Sequence, residues 1–123
     1  MPGATRLLVH PIRDVTIVNF LDASILDTAQ IEQMASELYD YVENRGRRRL
    51  ILDFTKVQFL SSSALGMLIN LHKKALAAKG SLVLCGIRKE LMKVFEITSL
   101  AKVFTFAPNE KDALATFGIT TAG

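Results

Sequence analysis

Apolar residues fall along the chain in two alternating rhythms. Leu7-Leu8-Val9 and Val15–Phe20 are short apolar runs rich in β-branched residues, joined by His10-Pro11-Ile12-Arg13-Asp14. They predict a strand pair with proline near the turn. Ile31, Met34, Ala35, Leu38 and Val42 recur at helical spacing and predict a helix over 29–43. Asp27, with Gln30 three residues later, has the pattern of a capping box, and Gly46 is a candidate stop. Leu50-Ile51-Leu52-Asp53-Phe54 is almost continuously apolar, as expected of a strand covered on both faces.

A second helix is expected over 62–78, ended by Gly80, and a second buried strand at Leu82-Val83-Leu84-Cys85. Leu91, Val94, Phe95 and Thr98 mark a third helix, and Val103–Phe106 a short strand. Asn109 is placed to cap a last helix carrying Ala113, Leu114 and Phe117. From residue 50 onward strands and helices alternate, which implies parallel strands joined by crossover helices. With an antiparallel opening pair, the expected class is α/β: one domain with a core over about 6–118, about four helices and a mixed sheet of about five strands.

The 123 residues amount to one domain, and half of them are apolar. No apolar run approaches the roughly 20 residues of a membrane helix, and the opening residues lack a secretory pattern. Cys85 is the only cysteine and can form no internal disulfide. No phosphate-binding glycine loop or metal-ligand spacing occurs, so no cofactor or metal is expected. These features fit a soluble cytoplasmic domain without membrane insertion.

Charge is uneven. Residues 1–44 hold two basic and seven acidic side chains, and the rest hold thirteen basic and five acidic. The basic cluster, Arg45 with Arg47-Arg48-Arg49, lies beside one turn. Aromatic residues do not interleave with it as a base-stacking platform requires, so direct nucleic-acid binding is not expected.

Chemistry concentrates between Asp53 and Gly66, where Ser61, Ser62 and Ser63 stand at a loop-to-helix junction. A helix start presents unpaired N–H groups and the positive end of its dipole. A serine there caps the helix, and the same groups favour a phosphate. The plainer reading is that Ser61 caps while Ser62 and Ser63 are small polar residues. The helix that follows carries two apolar stripes: Leu65, Leu68, Ile69 and Leu76, then Ala64, Met67, Leu71, Ala75 and Ala78. Either it is unusually buried, or Met67 and its neighbours face a partner.

Catalysis is poorly supported. Leu60 and Ala64 stand where a nucleophile elbow at Ser62 needs glycines. His72 is ten residues along the same helix, roughly 15 Å away at the standard rise. Asp53 as a phosphoacceptor lacks companion carboxylates for Mg²⁺ and is expected to bond loop amides instead. No enzymatic activity is expected.

Asp53, Val57, Phe59, Ser62, Ser63, Leu65 and Gly66 resemble the signature of STAS domains, in particular the bacterial anti-sigma-factor antagonists. Leu21-Asp22 after the second strand and the Val94–Leu100 segment are similar too, so the likeness runs from about Leu7 to Phe117. It implies a partner that is both an anti-sigma factor and a serine kinase, bound by the unmodified form and released by phosphorylation. By position the acceptor is Ser62, with Ser61 and Ser63 as alternatives. Asp22, Ser61, Ser62, Ser63, Ala64 and Met67 are the implied partner-binding residues. The sequence departs from the family pattern at Ser61 in place of an aspartate, and at Ala64 and Ser99 in place of glycines.

Overall fold

A computed structural model describes residues 7–120. Strands β1 (Leu7–Ile12) and β2 (Val15–Phe20) form an antiparallel hairpin, with Ile12 opposite Val15. Arg13 turns the chain with φ at +57°. Pro11 lies within β1, which is tolerated because β1 is an edge strand.

The chain continues through β3 (Ser24–Ile25), α1 (Thr28–Glu43), β4 (Arg49–Asp53), β5 (Phe59–Leu60), α2 (Ser62–Ala77) and β6 (Ser81–Cys85). It closes with α3 (Lys89–Ile97), a 3₁₀ turn at Leu100–Lys102, β7 (Thr105–Ala107) and α4 (Glu110–Thr116). The main sheet runs β1-β2-β4-β6-β7, and every pairing after the hairpin is parallel. The single α/β domain with a mixed five-stranded sheet and four helices agrees with the sequence reading. The separate parallel pair β3–β5 was not anticipated.

Strand alternation splits the core in two. Leu50, Leu52, Leu82 and Leu84 point to the α1–α3 side and pack with Met34, Leu38, Leu68 and Leu71. Ile17, Ile51, Val83 and Cys85 point to the other face, which α4 covers with Ala113 and Leu114. Layers on both faces explain why β4 and β6 read as continuous apolar runs. The two apolar stripes of α2 have the same cause. Ala64, Leu65, Met67, Leu68, Leu71 and Ala75 are all buried between the sheet and its neighbours, and only Leu76 is left half-exposed.

Several boundaries differ from expectation. Asp27 caps α1 by accepting from the Ala29 amide at 3.2 Å, but Gln30 donates to Asp22 instead of closing a capping box. At the end of α2 the left-handed residue is Lys79, at φ +63°, not Gly80. Gly80 is needed for a different reason: a Cβ there would fall on the Arg48 carbonyl. The last strand starts at Thr105, because the chain first makes the 3₁₀ turn that buries Phe104 edge-on against Phe95. No helix among the described residues is long and apolar enough to cross a membrane.

Candidate functional site

The site is assembled where β4, the β5 loop and α2 meet. Ser61 sits in an extended conformation before α2, and its Oγ accepts from the Ala64 amide at 3.2 Å. This satisfies one of the unpaired amides of the helix start. Ser62 and Ser63 follow in the first turn, both exposed. Among the described residues neither side chain has a hydrogen-bond partner, in agreement with Ser61 as the cap.

The approach to the serines is stitched to the segment after Asp22. The Ala23 carbonyl accepts from the Gln58 amide at 2.7 Å and the Phe59 amide at 3.1 Å, and the Ile25 carbonyl accepts from the Ser61 amide at 3.1 Å. The β3–β5 pair thereby brings Asp22 and the serine turn, forty residues apart in sequence, onto adjoining parts of one surface. Asp22 accepts from Gln30 Nε2 at 2.9 Å.

The structure separates the residues singled out from sequence. Asp22, Ser61, Ser62 and Ser63 reach this surface, whereas Ala64 is fully buried and Met67 is 4% exposed. Ala64 and Met67 are core residues, because α2 packs on both α1 and the sheet. Two residues missed in sequence take their place beside the serines: Leu26 and Phe59, each about half-exposed. Apolarity alone assigns both to a core; Phe59 also stands in the family signature, but nothing in the sequence marks either residue as exposed.

Asp53 has a supporting role. Its Oδ1 accepts both the amide, at 2.8 Å, and the hydroxyl of Thr55, fixing the first turn of the loop. It shares the sheet face of Ile51, so it points toward α4 and away from Ser62. There its carboxyl meets that of Glu110, which also accepts from Asn19 Nδ2 at 2.8 Å. Burial pushes the Asp53 pKa up, but hydrogen bonds with Glu110, Thr55 and Asn19 outweigh it and hold it below the ordinary value. The bond to Asp53, and then burial, raise that of Glu110. One proton held between the two carboxyls on the Glu110 side accounts for both directions. Gly86, at φ +70°, lies so close that a Cβ would strike Thr55 Oγ1.

Other reactive groups are set aside by their surroundings. Burial, with Asp53 and Glu110 nearby, pushes the Cys85 thiol up to about 12, so it is no nucleophile near neutrality. His72 packs edge-on against Phe104 at 5.4 Å, and its Nδ1 is buried without a partner. No group of three or more His, Cys, Asp or Glu suited to a metal occurs among the described residues.

Known proteins match this chain in sequence and in fold. The family model for the STAS domain matches residues 9–113. The chain belongs to the STAS-domain family. This STAS domain is 31% identical over 93 residues to the candidate anti-sigma factor antagonist BtrV of Bordetella bronchiseptica, covering 76% of this chain and 79% of that protein. Its fold is shared with the anti-sigma-factor antagonist STAS protein of Planctomyces limnophilus at a TM-score of 0.82, with 22% identity and coverage of 92% and 98%. It is also similar to the Bacillus cell-fate determinant SpoIIAA in its phosphorylated form, at a TM-score of 0.71, 20% identity and coverage of 90% and 98%.

Proposed function

We propose that this STAS domain is an anti-sigma-factor antagonist that binds an anti-sigma factor with serine-kinase activity and is released by phosphorylation of Ser62. The observation that carries the reading is the division of labour at α2. Ser61 is committed to the cap, while the Ser62 and Ser63 hydroxyls are exposed and unengaged, and of these two the family pattern puts the acceptor at Ser62. Relatives named as anti-sigma-factor antagonists support the same class.

The partner surface comprises Asp22, Ser61, Ser62 and Ser63, extended by Leu26 and Phe59. The two half-exposed apolar side chains supply contact area, and the serines place a modifiable group within it. Phosphate adds about −1.5 to −2 charge at neutral pH. At the first turn of α2 it is stabilised by the helix N-terminus, so the free domain need not rearrange. Buried under a partner, the same charge must be desolvated, and release follows. The protein acts by binding, in the cytoplasm, and catalyses nothing itself.

The test is binding to the anti-sigma factor kinase from the same cells, with wild type, Ser62→Ala and Ser62→Asp. Ser62→Asp is expected to bind at least about tenfold more weakly with unchanged circular dichroism, and Ser62→Ala to bind normally. Equal binding by wild type and Ser62→Asp overturns the proposal. A second reading is motivated by Ser61, which stands where the family pattern has an aspartate: a constitutive subunit of a stress-signalling or lipid-transport complex. It predicts a complex that survives addition of ATP.

A further inference from the structure

The end of the sheet opposite the serines carries a strong positive charge. β4 runs from Arg49 at that pole to Asp53 at the loop leading to Ser62, a span of about 13 Å. Val15 and Ser81 flank Arg49 in register, so the β1–β2 turn and the ends of α1 and α2 gather around it. Arg13, Arg45, Arg47, Arg48, Arg49 and Lys79 all belong to these segments.

Carboxylates offset only part of this charge. Asp40 pairs with Arg45 at 2.9 Å and Asp14 with Arg49 at 2.7 Å, while Glu43 is taken up by Lys74. Arg13, Arg47, Arg48 and Lys79 form no ion pair among the described residues. The dipole of α1 does not account for Arg47 and Arg48, because its last turn contains no basic residue and the effect fades beyond that turn.

Arg47 is held for contact. Its Nε donates to Thr16 Oγ1 at 2.6 Å, and its Nη2 donates to the carbonyls of Arg13 at 3.1 Å and Val15 at 2.9 Å. Three bonds fix the guanidinium, and its Nη1 hydrogens have no protein acceptor among the described residues. Beside it is a hollow of about 320 Å³ lined by Val9, Pro11, Thr16, Tyr41, Arg45 and Arg47. Half of that lining is apolar. On the far side of the pole, Arg49 and Lys79 line a second, polar hollow with Ser81.

We propose that this pole docks an acidic peptide segment of a partner protein, one with an apolar side chain among its carboxylates. The Nη1 group of the fixed Arg47 is left to donate a charged hydrogen bond to a carboxylate, and the Val9–Pro11–Tyr41 wall takes the apolar group. Base stacking on Tyr41, which would favour single-stranded nucleic acid, is disfavoured. The Arg45 guanidinium covers the Tyr41 ring, 5.0 Å from its centroid, which removes a stacking face. Because the pole lies at the far end of β4 from Ser62, this site is separate from the serine surface and does not rest on its reading.

The probe is a blocked hexapeptide, Glu-Leu-Glu-Glu-Leu-Glu, titrated into the labelled full chain and followed by backbone amide shifts. A single-stranded DNA oligonucleotide of equal charge is titrated in parallel. Shifts from the peptide are expected at 13–16, 41–49 and 79–81, weakening as salt rises. Arg48→Glu with Lys79→Glu is expected to weaken peptide binding at least about tenfold. Lys93→Glu with Lys111→Glu, of the same net charge, leaves it unchanged. The proposal is overturned if the peptide does not bind, if both double variants weaken it equally, or if the oligonucleotide binds more tightly.

Discussion

Ser61 Oγ lies 3.2 Å from the Ala64 amide nitrogen, so the helix of the candidate switch is capped by the residue before the proposed acceptor, Ser62. Capping and the proposed phosphorylation thus fall to different side chains. Modifying Ser62 leaves the helix start intact, whereas modifying Ser61 would destroy its cap.

The first prediction separates those roles by stability. Ser61→Ala is expected to cost about 1 kcal/mol in urea denaturation, the usual loss of a serine cap. Ser62→Ala should stay within about 0.5 kcal/mol of wild type, because its hydroxyl is exposed and unpaired. Ser61→Asp restores an acceptor and adds a negative charge at the helix start, so it should match or exceed wild-type stability. A larger loss for Ser62→Ala than for Ser61→Ala contradicts the capping assignment.

The second concerns the carboxyl pair behind the loop. Glu110 has its pKa raised above the ordinary 4.5 in the fold, so its contribution is complete below that value and is lost as pH rises through the folded pKa. Asp53 has its pKa lowered from 3.8, so its contribution is present above that value and is lost as pH falls through the folded pKa. In Glu110→Gln the side-chain amide donates permanently to Asp53 and still accepts from Asn19. Denaturation across pH should show wild type losing stability on the alkaline side of 4.5, and Glu110→Gln losing less there. Identical curves in that window would mean that the two carboxyls do not share a proton.

Ser99 supplies the third. It has φ +64° before the 3₁₀ turn, in the left-handed region where a Cβ is strained. Ser99→Gly is expected to stabilise the domain by about 0.5–1 kcal/mol, less the entropy that glycine adds to the unfolded chain. A raised thermal midpoint checks it, and a lowered one would show that the serine side chain is needed.

Parts of this design are legible in the sequence for definite reasons. The Leu50–Phe54 and Leu82–Cys85 runs announce strands covered on both faces, and Ile31, Met34, Leu38 and Val42 announce one face of a helix. The pair β3–β5 is hidden because two-residue strands have no periodicity to read. Asp53 and Glu110 are far apart in sequence, and only the placement of α4 under the sheet brings them together. Met67 and Phe59 show the limit most directly. Both are large and apolar, and packing alone decides that one is covered and the other left beside the serines.

The central claim is tested most directly by mapping phosphate on the protein from its native cells. Trypsin releases residues 57–73, a peptide that contains Ser61, Ser62 and Ser63 together, and fragmentation distinguishes the three. The account predicts phosphate on Ser62 under at least one growth condition, with Ser61 unmodified. A peptide that is unmodified under every condition, or phosphorylated at Ser61 or Ser63 in place of Ser62, would contradict it.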